Sequence, residues 1–253
     1  TAVRHLLDGY PISTLQGHRG KRVHTEIIAT FLPNAVVESL YATMTQTGLS
    51  VASLTLEPIA AMNAIIPKEL RLLNLALVDI GAGTSDIAVS KEGTVAAYTM
   101  ATVAGDEITE AIIKEYLVDF QTAEDIKLSL GRNLSEIKFH DILGVAYSVP
   151  GQEILGRIAS AEEELASTIC ERILEVNGQA APAAVFLVGG GSQLPGLCSL
   201  VAEKLSIDRS KVAVGSNNYM KKAVVSEEDV SGPDFATPMG IAITAMLARE
   251  RDR

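Results

Sequence analysis

Val23, Thr25, Ile27, Ala29 and Phe31 recur at every second position, and that period predicts a strand over residues 22–31. A first strand over residues 10–15 and a basic turn precede it. From residue 34 the period lengthens. Val37, Leu40, Tyr41 and Met44 follow three- and four-residue steps, the mark of a helix that Gly48 ends. Residues 49–56 read as a short strand. Pro58 opens a helix to about residue 65, since proline suits a first helical turn.

Two strands, 75–79 and 85–90, flank a glycine-rich turn, and a third strand follows the turn at Lys91-Glu92-Gly93. An amphipathic helix runs from Gly105-Asp106 to about residue 120, with Ile108, Ile112 and Tyr116 on one face. Thr122 and Asp125 form a capping-box-like pair at the start of the next helix, which Gly131 stops. Residues 133–149 read as a hairpin and 152–176 as a long helix carrying Ile154, Ile158, Leu165, Ile169 and Ile173. A strand over 183–188 runs into Gly189-Gly190-Gly191, and helices follow Pro195 and Pro238. Alternating strands and helices give an α/β class.

Nearly half of the 253 residues are apolar, enough for a sizeable core. No apolar run approaches the ~18 residues of a membrane span. The start, Thr1-Ala2-Val3-Arg4, has neither a Met nor the order of a signal peptide, so the chain is expected to be cut from something longer. The formal charge of −10 repels phosphate backbones and argues against nucleic-acid binding. The basic cluster His18-Arg19-Gly20-Lys21-Arg22 lacks P-loop spacing. It reads as a solvated hairpin tip or, more sharply, as a polymer or partner contact. Cys170 and Cys198 form no C-x-x-C pair, which fits a reduced, cytoplasmic protein, and the four histidines lack metal-ligand spacing.

The strongest chemical signal is Asp79-Ile80-Gly81-Ala82-Gly83-Thr84-Ser85-Asp86. Gly81 and Gly83 let backbone N–H groups approach an anion, and Thr84 adds a hydroxyl. The flanking carboxylates suit a divalent cation or a held water between acid and phosphate. Taken alone, the segment also fits an ordinary glycine hairpin. Val188-Gly189-Gly190-Gly191-Ser192-Gln193-Leu194-Pro195-Gly196 leaves a buried strand for a helix, which suits a nucleotide against bare backbone or a simple chain reversal. Glu124 and Lys127 share a helix face, as nucleoside contacts or as a surface ion pair.

In this order, these segments resemble the actin, DnaK and sugar-kinase superfamily. Asp79 to Asp86 resembles its second phosphate motif, Val188 to Gly196 its adenosine motif, and Leu56-Glu57-Pro58-Ile59-Ala60-Ala61 and Ala236-Thr237-Pro238-Met239-Gly240-Ile241-Ala242 its two connecting helices. Ala104-Gly105-Asp106-Glu107-Ile108-Thr109 and Thr122-Ala123-Glu124-Asp125-Ile126-Lys127 are most similar to the FtsA family of bacterial division proteins. The resemblance implies an actin-like ATPase (ribonuclease H-like) fold: a mixed sheet with flanking helices, plus part of an extra α+β subdomain. Residues 1–56 would be the extra subdomain and the strand leaving it, 57–74 the first connecting helix, 75–235 the second lobe with an outer subdomain at 132–180, and 236–253 the second connecting helix.

The resemblance also assigns roles for ATP and Mg2+. Glu57 matches an acid that positions or activates the attacking water, Asp79 the acid near the metal, and Asp86 a second polar group at the phosphates. Gly81, Ala82, Gly83 and Thr84 match the phosphate cradle. Gly105 and Asp106 match the helix start, Glu124 and Lys127 the nucleoside contacts, and Gly189, Gly190, Gly191 and Ser192 the adenosine loop. One departure stands out: no earlier D-x-G-[ST] hairpin is present. A fragment lacking the first lobe's hairpin and the family's membrane-binding tail is therefore expected, with weak ATPase activity at most. By resemblance, residues 132–180 would dock the tail of the tubulin-like partner FtsZ, with Arg157 and Arg172 facing an acidic peptide, and the chain would self-associate into filaments. A nucleotide-binding, non-enzymatic scaffold like the pilus protein PilM is the alternative. Chaperone and sugar-kinase readings fit less well.

Overall fold

The structure, a computed structural model, describes residues 2–12, 14–27, 29, 31–67, 69–215 and 232–251. Ser13, Ile28 and Thr30, within the two expected early strands, lie outside the described residues, as do 216–231 of the expected second lobe and 252–253. The chain divides into two compact units, Thr1–Leu56 and Glu57–Arg253.

The first unit holds strands β1 (Ala2–Leu7), β2 (Tyr10–Ile12) and β3 (Val23–Ile27) and helix α1 (Asn34–Gln46). The strand order is β2-β1-β3, all antiparallel. The basic segment is therefore not a hairpin tip. It crosses from one edge of β1 to the other, and the Asp8 carboxylate fixes its end by accepting the N–H groups of Lys21 (2.9 Å) and Arg22 (2.7 Å). The tight turn is Asp8-Gly9, both at positive φ, as a two-residue hairpin loop requires. Residues 50–56 form no strand, because no described strand lies beside them to pair.

In the second unit, α2 (Glu57–Ile65) leads to β4 (Leu75–Ile80), β5 (Ser85–Lys91) and β6 (Thr94–Ala101). Glu92 and Gly93, expected as a turn before a third strand, are the positive-φ turn that joins β5 to β6. Helices α3 (Gly105–Tyr116) and α4 (Phe120–Arg132), the hairpin β7 (Glu136–His140) and β8 (Ala146–Pro150), and the long α5 (Gly151–Val176) follow. Then come β9 (Ala184–Val188), α6 (Leu197–Lys204), β10 (Val212–Val214) and α7 (Ala236–Arg251). Helix α3 stops at Leu117, in the left-handed conformation, short of the expected residue 120. Helix α4 is capped by Asp119, not Thr122: the Asp119 carboxylate accepts both the N–H (3.0 Å) and the hydroxyl (2.7 Å) of Thr122.

The five-stranded sheet has the order β10-β9-β4-β5-β6. Strands β10, β9 and β4 run parallel, while β4, β5 and β6 are antiparallel. Every residue of β4 is buried, as expected of a central strand covered on both faces. On one face Val78, Ile80 and Ile87 pack against α3, α4, α5 and α6 through Ile108, Ile126, Ile158 and Val201. On the other, Leu75, Leu77 and Ala88 pack under Met62 and Ile65 of α2 and Ala236 of α7. Helices α2 and α7 cross so closely that a Cβ on Gly240 would stand 1.8 Å from the Ala60 carbonyl oxygen. The sheet thus brings its strand ends and the first turns of α2, α3 and α7 to one edge.

Candidate nucleotide site

At that edge the β4–β5 connection tightens. The Gly81 N–H donates to the Thr84 carbonyl (3.0 Å). The start of α3 then docks on the turn, with the N–H groups of Gly105 and Asp106 donating to the carbonyls of Gly81 (3.1 Å) and Ala82 (2.8 Å). These two bonds consume the turn's outward carbonyls. The N–H groups of Ala82, Gly83 and Thr84 find no acceptor among the described residues, and the tip is exposed. Successive free backbone N–H groups of this kind can hold an anion. Asp106 reaches back over the turn, its carboxylate 3.8 Å from the position of a Gly83 Cβ.

Behind the turn sit the acids. Asp79 and Asp86 are direct cross-strand partners, 8% and 9% exposed. The Thr237 hydroxyl of α7 donates to Asp79 Oδ2 (2.7 Å), and the Tyr98 hydroxyl of β6 donates to Asp86 Oδ1 (2.6 Å). Burial raises the Asp79 pKa above the usual carboxylate value, and the Asp86 charge adds to it against the opposing Thr237 bond. Glu57, at the first turn of α2, is raised first by desolvation, then by Asp79 and Asp86. The three expected catalytic acids thus share one electrostatic environment. No group of three His, Cys, Asp or Glu side chains among the described residues has metal-binding geometry.

Beside the turn opens a pocket of about 490 Å3. Its lining brings together Gly81, Ala82, Gly105, Glu124, Lys127, Gly190 and Gly191, from four separate segments named by the sequence. Lys127 Nζ donates to the Gly105 carbonyl (3.0 Å) and to Thr109 Oγ1 (2.8 Å), and it pairs with Glu124. Thr109 also donates to Glu124. Burial works to raise the Glu124 pKa, but the bonds from Lys127 and Thr109 and the lysine charge outweigh it and hold the group below its usual value. Behind the pocket the glycine loop packs tightly on the end of β4, where a Cβ on Gly189 would stand 2.4 Å from the Ile80 carbonyl oxygen.

Other expected residues lie off the pocket wall. Ser192 is buried and donates to the Gly189 carbonyl (2.7 Å), so it shapes the glycine loop from behind. Gly83, Thr84, Asp106 and Gly189 frame the turn and loop without lining the pocket. The sequence reading gave no site role to Leu128, Gly131, Arg132 or Asp234 of the lining, and it named Gln193 only as part of the adenosine-like segment. The first three continue the face of Glu124 and Lys127 at helical spacing; Gln193 follows the glycine loop, and Asp234 has no local signal.

A model of the family "Cell division protein FtsA" matches residues 76–240. The cell division protein FtsA of Bacillus subtilis (strain 168) is 25% identical over 229 residues, covering 87% of this chain and 50% of that protein. The chain spans about half the length of the curated relatives it matches. Among solved structures, a PilM–PilN type IV pilus biogenesis complex matches at 23% identity and a TM-score of 0.63, covering 83% of this chain and 58% of that one. MreB5 of Spiroplasma citri bound to ADP matches at 20% and 0.64, covering 87% and 68%. These likenesses show the actin-like ATPase fold.

Proposed function

Because the chain belongs to the FtsA family of cell division proteins, we propose that the pocket between the β4–β5 turn, α4 and the Gly189–Gly191 loop binds ATP with Mg2+. One observation carries this reading: unpaired N–H groups at Ala82, Gly83 and Thr84 adjoin a pocket lined by Glu124, Lys127, Gly190 and Gly191. The turn takes the phosphates, the Glu124–Lys127 pair takes the ribose, and the glycine loop lies against the nucleoside. When bound, Mg2+ supplies positive charge beside the phosphates and relieves the Asp79–Asp86 repulsion. Glu57, its pKa raised, can accept a proton from a water held before the phosphates. Ligand-observed NMR with Mg-ATP tests this, together with thermal denaturation. Saturation to a hundred times Kd would stabilise by about 2.7 kcal/mol. No transfer to ATP protons at millimolar ligand would overturn the reading.

A second reading concerns the link between division filaments and their partners. Arg157 is ion-paired to Glu115 (2.7 Å) and Glu153 (2.9 Å), and Arg172 to Glu175 (2.6 Å), so neither is open to an acidic peptide in the way the sequence suggests. The apolar hairpin tip supports docking better. Ile142, Leu143 and Val145 are exposed, yet Asp141 Oδ1 accepts the N–H groups of Leu143 (2.9 Å) and Val145 (2.8 Å) and holds them in place. A partner tail of the FtsZ type would dock there. Pull-downs with an FtsZ tail and a PilN peptide separate the division role from the pilus-scaffold role, and sedimentation with and without Mg-ATP tests filament formation.

A further inference from the structure

The pocket-facing stripe of α4 runs beyond the Glu124–Lys127 pair to Leu128, Gly131 and Arg132. Both of its ends are fixed against other elements. Lys127 donates to the Gly105 carbonyl, and the Gly105 N–H donates to Gly81 in the phosphate turn. Arg132 lies five residues farther along α4, about 7.5 Å at 1.5 Å per residue. Around it the opposing wall closes in, since a Cβ on Gly131 would stand 3.5 Å from the Gln193 carbonyl oxygen. A nucleotide anchored at the turn, with its ribose at the pair, places its base at this far end.

The charges there differ from those of the pair. Lys127 is neutralised by Glu124, whereas Arg132 has no hydrogen-bond or ion-pair partner among the described residues, although Asp234 shares the lining. Leu128 and Leu194 supply apolar surface beside it. A guanidinium is planar and weakly hydrated, and it stacks on π faces as an ammonium does not. We infer that Arg132 lies over the face of the nucleotide base and sets the base-dependent part of the affinity. The inference rests on the adenine-nucleotide reading above.

The test titrates ADP and pyrophosphate, by proton and phosphorus NMR, into the unaltered chain and into Arg132→Ala, Arg132→Lys and Arg132→Gln. Arg132 is exposed at a helix end, and Tm reports the fold of each variant. About tenfold weaker ADP binding is expected for Ala and Gln, with weaker saturation of the base protons, unchanged pyrophosphate binding and no full rescue by Lys. Parallel losses for ADP and pyrophosphate that Lys restores would make Arg132 a phosphate charge and overturn the inference. So would unchanged ADP binding in the Ala and Gln variants. If the unaltered chain takes up pyrophosphate but not ADP, or neither, the adenine-nucleotide reading itself fails, and the inference with it.

Discussion

Asp79 and Asp86 stand directly opposite each other across the β4–β5 ladder, both buried, each answered by one hydroxyl: Thr237 for Asp79 and Tyr98 for Asp86. Like charges in that register are destabilising. Strands β4 and β5 hold the two acids there because their apolar neighbours Val78, Ile80 and Ile87 are locked into the core. The repulsion is thus built into the sheet, and a cation beside the turn would relieve it.

Asp79→Asn should therefore stabilise the unliganded chain at neutral pH by up to about 1 kcal/mol, the scale of a cross-strand charge pair, or about 2–4 °C in Tm. The amide oxygen still accepts from Thr237. Since the fold raises the Asp79 pKa, protonation favours the fold. That stabilisation is present below the usual value of 3.8 and is lost as pH rises through the raised one. The Asn variant should match the parent in acid and gain only above that window, while losing any Mg-ATP-dependent stabilisation. Thermal melts at several pH values check both halves.

Much of this was legible in sequence, for local reasons. The buried runs of β4 and β5 and the turn between them are contiguous, and the α4 face repeats at helical spacing. What stayed hidden depends on distant chain. Thr237 meets Asp79 from 158 residues away, and nothing near Asp234 marks it as pocket lining. β10 is a three-residue strand, too short for a period to show. Thr122 looked like a cap because its type suits one, but the carboxylate of Asp119, three residues earlier, is the acceptor.

Gly189 and Gly190 should respond oppositely to alanine. At Gly189, φ is +80° and the new Cβ would meet the Ile80 carbonyl oxygen at 2.4 Å and Asp79 Oδ1 at 2.5 Å. A loss of about 2–4 kcal/mol is expected. At Gly190 nothing among the described residues lies within 4 Å, so stability should change by less than about 0.5 kcal/mol while the added methyl enters the pocket and weakens nucleotide binding. Denaturant melts and ADP titrations of the two variants provide the comparison.

Lys127→Met removes a charge-assisted donor from the Gly105 carbonyl, Thr109 and Glu124 together. A cost of about 1.5–3 kcal/mol follows. The depressed Glu124 pKa contributes stability above the usual 4.5, lost as pH falls through its folded value. In the Met variant that contribution should shrink and the Glu124 titration should move upward. Carboxyl-detected NMR reads the shift, and an unmoved titration would show that Lys127 does not hold the acid.

Glu162 is the buried acid that the nucleotide site does not use. It lies on the core-facing side of α5 between Ile158 and Leu165, 8% exposed, and its Oε1 has no hydrogen-bond partner among the described residues. Burial alone pushes its pKa up to about 7. The unfolded chain ionises this group near 4.5 and the folded chain near 7, so the fold binds the proton more tightly. Its contribution is therefore most favourable below pH 4.5, declines between 4.5 and 7, and is fully lost above. Glu162→Gln keeps the shape and cannot ionise. It should melt with the parent at pH 4, pull ahead progressively to pH 7, and hold a constant lead of a few degrees at pH 8 and beyond. A lead that is the same at every pH would instead mean that the gain comes from packing of the amide, with the carboxyl ionising as it does in water.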